Sequence, residues 1–329
     1  MKTTHYLTLL LFSFLIRNSL ITPSLSATRC NSEDYKVLMQ IKNALGNPYH
    51  LASWVPNTDC CDWYCLECSD TTNRVVELTI FSGNISGQIP SEIGDLPYLE
   101  NLVFRKLTNI TGTIPESVTK LTHLKSLRMS WLNLSGPIPG FLSELKNLTY
   151  LELNFNQFSG SIPSSLSEFT NLGAIHLDRN QLTGSIPESF GHFTGTVPDL
   201  YLSHNQLTGT IPKSFANMNF GTIDLSRNKL SGDASVLFKA NGSSFMIDIS
   251  RNQFQFDFSK VKLPLKSLGN LDINHNKIYG SIPKDIVNAE NLQFLNVSYN
   301  SLCGVIPAGG RMARFDYTSF IHNKCLEGL

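Results

Sequence analysis

Leu148–Pro163 reads LTYLELNFNQFSGSIP, and its spacing of apolar residues, asparagine, glycine and proline returns along most of the chain. Aligned on the asparagine, the copies place Asn84, Asn109, Asn133, Asn156, Asn180, Asn205, Asn228, Asn252, Asn276 and Asn300 at intervals of 23 to 25 residues. A fixed period of that length marks a solenoid, because no single copy buries its own apolar face. Within the copy, Leu151 and Leu153 alternate with Glu152 and Asn154. A short strand therefore sends the leucines inward and leaves the polar pair facing out. The asparagine then turns the chain, and a buried amide needs partners. The ten asparagines are expected to form a ladder bonded to backbone groups of adjacent coils.

The string L-x-x-L-x-L-x-x-N-x-L at this period is that of leucine-rich repeats, one inner strand per repeat. The fold class expected is an α/β solenoid, a horseshoe of about ten repeats with capped ends. Most repeats close on G-x-I-P or a variant, from Gly87–Pro90 to Gly304–Pro307. Glycine allows the bend, and proline fixes φ where no ladder donor is needed. Gly232 and Asn252 lead into sequences that break the rule, so the convex side between Asp233 and Lys266 is expected to bulge. The first three repeats also carry an extra residue or two before their asparagine, as in Phe104–Asn109.

Residues 1–27 combine Lys2, an apolar run from Tyr6 to Ile16 and small residues at Ser24, Ser26 and Ala27, the pattern of a cleaved secretory signal. The run is too short to span a bilayer, and no later segment reads as a membrane span. The whole chain carries 26 basic and 26 acidic residues; losing Lys2 and Arg17 leaves 24 against 26. Such a balance signals no nucleic-acid partner. Residues 28–74 read as a cysteine-rich cap, 75–308 as ten repeats and 309–329 as a C-terminal cap. In the first cap Val37, Leu38, Ile41 and Leu45 sit at helical spacing, with Asn31 or Ser32 able to start the helix and Gly46 to end it. Trp54 and Trp63 are expected to cover the open end of the solenoid.

All seven cysteines lie near the ends: Cys30, Cys60, Cys61, Cys65 and Cys68, then Cys303 and Cys325. In a secreted chain they are expected in disulfides, with one thiol left over. A zinc site from Cys61, Cys65 and Cys68 is the alternative, without a nearby histidine.

Stacking lines up outward positions about 4.8 Å apart. The column between the strand leucines reads Thr79, Val103, Arg128, Glu152, His176, Tyr201, Asp224, Asp248, Asp272, Asn296. The column before the asparagine reads Ser82, Lys106, Trp131, Phe155, Arg179, His204, Arg227, Arg251, His275, Tyr299. An acidic row thus lies beside a basic one. The two rows either neutralise each other or form a recognition surface, with Trp131, Phe155, Tyr201 and Tyr299 as exposed anchors. Asp178 with Glu152 or Asp199 has the spacing of a glycosidase pair, but an open sheet offers no enclosed pocket. No phosphate loop, His-Glu metal motif or nucleophile elbow appears; no catalytic residue, metal or cofactor is expected. Sequons occur at Asn84, Asn109, Asn133, Asn147, Asn241 and Asn296. Asn147 and Asn241 are the expected glycan sites, since Asn84, Asn109 and Asn133 also read as ladder residues and Asn296 faces the inner sheet.

The repeat NxLxGxIP, with CCDWYCLEC, GDASVLF, DLYLSHNQLTGTIP, LDINHNKIYGSIP and LNVSYNSLCG, closely resembles the polygalacturonase-inhibiting proteins of plants, from about Cys30 to Cys325. The resemblance implies plant-type repeats and a secreted, monomeric cell-wall protein that binds microbial or insect endopolygalacturonases and limits pectin breakdown in defence. It implies a binding surface at Arg128, Trp131, Glu152, His176, Asp178, Tyr201, His204, Asp224 and Arg227, and pectate binding at His204, Arg227 and Arg251. It also implies disulfides Cys30–Cys60, Cys61–Cys68 and Cys303–Cys325, with Cys65 unpaired. Against that resemblance the C-terminal cap, 309–329, reads as shortened: the family's usual further cysteine after Cys325 is replaced by Leu326–Leu329. Two other readings compete: a receptor-like ectodomain binding a peptide or other extracellular ligand, and an ice-binding protein, which needs a flat array of threonine or asparagine that the charged inner columns do not offer.

Overall fold

The computed structural model describes residues 29–193 and 198–328, so the leader expected at residues 1–27 lies outside the described residues. The first element is the helix Ser32–Ala44. Asn31 starts it: its side-chain oxygen accepts from the backbone N–H groups of Glu33 and Asp34, at 2.9 and 3.4 Å. Leu38 and Ile41 are buried on its inner face, and Gly46 follows with φ of 76°. Trp54 and Trp63 stack with ring centroids 5.6 Å apart and close the end of the core. The helix is fastened to the first inner strand by Asp34, whose carboxylate accepts from Arg74 Nη2 at 2.6 Å, Arg74 Nε at 2.9 Å and Val75 N at 2.9 Å. The disulfides are Cys30–Cys60, Cys61–Cys68 and Cys303–Cys325, and Cys65 is free. Pairing Cys61 with Cys68 removes the zinc alternative.

Beyond the cap the chain winds through coils that share one inner sheet, 11-stranded among the described residues. Its first pair, Leu66–Cys68 against Val75–Phe81, is antiparallel. The later pairs are parallel, and register sets Arg128 beside Glu152, Glu152 beside His176, His176 beside Tyr201, and Asp224 beside Asp248 beside Asp272. The outer side of a typical coil is a short 3₁₀ turn such as Ser164–Glu168, entered through Pro163 at φ of −64°, a value the proline ring already imposes. Between sheet and turn the leucines, isoleucines and phenylalanines form one continuous core. Among the described residues no helix is long and apolar enough to cross a membrane.

The asparagine ladder exists, but its membership differs from the expectation. Asn180 is representative. Its oxygen accepts from Phe158 N at 3.0 Å, and its nitrogen donates to Leu153 O, Leu177 O and Asp178 O at 3.1, 3.0 and 3.2 Å. Asn156, Asn205, Asn228, Asn252, Asn276 and Asn300 repeat this arrangement. Asn323 adds a further rung, accepting from Leu302 N and donating to Val297 O. Asn84, Asn109 and Asn133 are outside it. Counting from the first strand leucine, the ladder position in those coils falls on Gly83, Leu107 and Leu132, and both leucines are buried. The extra residues push the asparagines one or two places on, to exposed or half-exposed sites.

The expected bulge after Gly232 is mild. Coil winding persists, with Ser231–Gly232 paired to Gln253–Phe254. The outer turns Ser235–Leu237 and Phe258–Lys260 shorten to 3 residues each. Phe238, Phe254, Phe256 and Phe258 fill the space beneath them.

Candidate functional site: the inner face

Two residue columns dominate the inner face, and backbone geometry explains the second. Every member from Ser82 to Tyr299, and His322 after them, has a left-handed backbone, with φ between 51° and 57°. Ten of these eleven are larger than serine, an uncommon choice at positive φ. The conformation is imposed by the coil: the N–H groups of Arg179, His204, Arg227 and Arg251 donate to Ser203 O, Ser226 O, Ser250 O and Asn274 O at 2.8 to 2.9 Å. His322 was missed because its coil lacks the leucines of the pattern.

The side chains of this column stack. Trp131 lies on Phe155 with centroids 3.6 Å apart, and the Arg179 guanidinium sits 4.8 Å from the Phe155 ring. At the other end His275, Tyr299 and His322 stack at 4.0 and 4.2 Å. Arg227 and Arg251 stand exposed between, with His204 half-buried. Of the expected aromatic anchors, Trp131 at 40% and Tyr299 at 42% are exposed. Phe155 and Tyr201 are half-buried, because neighbours cover one face of each ring.

The other column divides into two chemistries. Toward the N-terminus Glu152 is only 4% exposed. It accepts from Arg128 Nε and Ser130 Oγ, each at 2.6 Å, with Arg105 Nε at 3.9 Å. Glu152 therefore organises the surface more than it offers itself. His176 stacks on Tyr201 at 4.1 Å, bonds the Tyr150 hydroxyl at 3.2 Å, and has Nδ1 3.9 Å from Asp178. Burial, above all, moves His176 below and Asp178 above their ordinary values, Asp178 to about 6.

Toward the C-terminus, Asp224, Asp248 and Asp272 stand on three adjacent strands. Each gives one oxygen to the backbone N–H two residues on, at 2.9 to 3.0 Å. None lies within ion-pair distance of Arg227 or Arg251 among the described residues. These three aspartates thus have no direct ion pair across the face among the described residues, unlike Glu152 with Arg128. Burial, then the charges of Asp224 and Asp272, push Asp248 to about 7. The open sheet therefore does shift carboxylates, since stacked neighbours exclude water from their flanks. Glu152 is nevertheless held by arginine and serine and Asp224, Asp248 and Asp272 by backbone, while Asp178 takes the Asn154 amide on one oxygen at 3.4 Å and has no hydrogen-bond partner for the other among the described residues.

Comparisons with known proteins agree with this architecture. The leucine rich repeat N-terminal domain family matches residues 31–69, the leucine-rich repeat domain of EGF-like domain-containing protein ComC matches 98–230, and the Leucine Rich Repeat family matches 291–310. The chain is 70% identical over 246 residues to polygalacturonase inhibitor 1 of Arabidopsis thaliana, covering 74% of this chain and 73% of the relative. It is 70% identical to the polygalacturonase inhibitor of Pyrus communis over 227 residues, 69% of this chain and 68% of the relative. Among solved structures, a plant ice-binding protein superposes with a TM-score of 0.88 at 50% identity, over 91% of this chain and 96% of that one. The Arabidopsis receptor kinase HAESA, in complex with the peptide hormone IDA and the co-receptor SERK1, gives 0.63 at 27% identity, over 84% and 55%. The inner columns, the capped ends and these identities lead to one assignment: the chain belongs to the plant polygalacturonase-inhibiting proteins of the leucine-rich repeat class.

Proposed function

We propose that this chain is a secreted, monomeric inhibitor that binds microbial or insect endopolygalacturonases on its inner face and restrains pectin breakdown in the plant cell wall. The observation that carries the reading is the exposed Trp131, stacked on Phe155 beside Arg179, on a face whose core is already complete behind it. A large ring presented this way serves no packing need and fits a partner anchor. The contact surface comprises Arg128, Trp131, His176, Asp178, Tyr201, His204, Asp224 and Arg227, with Glu152 holding Arg128 in place. His204, Arg227 and Arg251 form a cationic row suited to pectate, with affinity that falls as salt rises. Like the inhibitors it matches, the chain acts by binding and is not an enzyme.

The test is reducing-end release from polygalacturonic acid by a panel of fungal endopolygalacturonases, with and without the purified chain. Dose-dependent slowing that tracks complex formation supports the reading; no slowing and no complex across the panel sinks it. Asp224→Lys and Trp131→Ala are expected to weaken an inhibited complex roughly tenfold or more, with little change in melting temperature. If both variants melt early instead, these residues are structural.

Ice binding is a second reading, favoured by a different face. A second sheet, of strands Ser86–Gln88, Asn109–Gly112, Asn133–Pro137, Gln157–Ser161 and Gln181–Thr183, carries exposed hydroxyl residues at Thr111, Ser161 and Thr183, with Thr113, Ser185, Thr208 and Thr210 exposed beyond its strands. The charged and aromatic inner columns offer no such array. Thermal hysteresis or inhibition of ice recrystallisation lost in Thr183→Lys supports it; neither activity in the unchanged chain removes it.

A further inference from the structure

We propose that a recess at the N-terminal end of the inner face, between Phe81, Arg105 and Arg128, binds an acidic side chain of an extended peptide segment. The recess crosses the first three coils, has a volume of about 330 Å³ and is also lined by Glu77, Thr79, Asn101 and Ser126. Strand register sets Phe81 beside Arg105, and Asn101 between Glu77 and Ser126. It shares Arg128 with the enzyme-facing surface proposed above and otherwise lies beyond it.

What points to an anion is how the two guanidinium groups are held. Arg128 gives its Nε to the buried Glu152 at 2.6 Å, and Arg105 Nε lies 3.9 Å from the other oxygen of that carboxylate. The Arg105 Cζ stands 5.8 Å from the centre of the Phe81 ring, and the Arg128 Cζ 5.3 Å from that of Tyr150. One carboxylate and two rings thus fix both cations in place. Neither arginine has a hydrogen bond through an Nη atom among the described residues, and the side chains keep 36% and 34% of their surface open. A planar cation whose outer edge is unpaired matches a carboxylate held by two parallel bonds. Lys106, its Nζ 5.4 Å from the Phe81 ring, adds a third positive charge. Only Glu77 and Glu152 stand against these three, so the excess suits a single carboxylate.

The remaining groups favour a peptide over a uronic acid polymer. The Asn101 amide and the Ser126 hydroxyl are half-exposed and have no hydrogen-bond partner among the described residues. Such groups take the N–H and C=O that flank a side chain on an extended peptide. Glu77 accepts from Thr79 Oγ1 at 2.8 Å and lines the same recess. Its charge repels a polymer that carries one carboxylate on every sugar. Phe81, the one aromatic among the lining residues, already faces Arg105 and Lys106, which withdraws it as a platform for a sugar ring.

The test is a saturation-transfer titration of the folded chain with a capped Ser-Glu-Ser tripeptide. No enzyme is present, so the outcome is independent of the inhibitor reading. Binding is expected for this peptide and not for its glutamine counterpart. Arg105→Gln is expected to weaken it about fivefold, and Glu77→Gln, which leaves both arginines in place, to strengthen it. Equal binding of the two peptides overturns the proposal, as does unchanged affinity in an Arg105→Gln chain that melts normally. If that variant melts early, Glu77→Gln decides: unchanged or weaker binding there counts equally against the site. Acetate bound as tightly as the peptide reduces the recess to a general anion site, and trigalacturonate bound more tightly than the peptide reassigns it to a saccharide; either result overturns the peptide assignment.

Discussion

The first three coils and the coils from Asn156 onward solve one problem in two ways. Where each coil turns off the inner sheet, later coils insert an asparagine that satisfies backbone groups of two coils at once. Earlier coils insert Leu107 or Leu132, which pack, and their strands run longer: Asn101–Arg105 and Ser126–Ser130 have 5 residues, against 3 in Tyr150–Glu152 and its successors. A longer strand pairs through the ladder the backbone groups that an asparagine otherwise serves. Packing and hydrogen bonding are thus interchangeable at this corner, provided that each is complete. The exchange frees asparagines for the surface, and the polar face beside them uses an arginine–glutamate network where later coils stack aspartates.

The strongest way to break the comparison is at the N-terminal end, where packing depends on the cap. Asp34→Ala strands Arg74 beside the first strand and is expected to cost about 4 kcal/mol, read as a lowered urea midpoint. Next comes the exchange itself. Asn180→Ala leaves Phe158 N and three carbonyls short of partners, a loss of about 3 kcal/mol. Leu107→Ala opens a cavity of similar consequence, about 2 to 4 kcal/mol. If one of the pair proves nearly silent in urea unfolding, the two devices are not equivalent.

A smaller effect separates the polar faces by pH. Asp248 holds a proton to about 7 when folded, whereas an unfolded aspartate gives it up near about 3.9. The folded chain therefore binds more protons between those limits, and stability falls as pH rises from about 4 through 7, then levels. Asp248→Asn is expected to flatten that slope and to raise the midpoint at pH 8, by about 1 kcal/mol. An unchanged slope means the proton sits elsewhere. The smallest effect is chemical: burial pushes the Cys65 thiol to about 12. Folded protein is expected to resist alkylation at pH 8 while unfolded protein reacts; prompt labelling of the folded chain contradicts this.

Much of the architecture was legible because a repeat reports its environment many times over. Period, strand alternation and glycine–proline turns each recur, so the inner column from Thr79 to Asn296 could be written down and is matched by the strand register. The disulfide pairing came only with the family resemblance, since cysteine spacing leaves several pairings open. The ladder in the first coils was misread because asparagine identity was followed in place of distance from the strand leucine. One residue of slip moves a side chain from interior to surface, and only a count from the strand reveals it.

What the sequence by itself determined is the solenoid, its caps and the order of residues along each inner column, because those follow from periodicities local to one coil. Tertiary structure alone decided which of those residues are free. Glu152 is spent on Arg128 and Ser130, Phe155 and Tyr201 are half-covered by stacking, and Asp248 keeps a proton because its neighbours one coil away exclude water and add charge. The physical reason is that exposure and charge state depend on groups about 24 residues away in sequence but one strand spacing, about 4.8 Å, away in space.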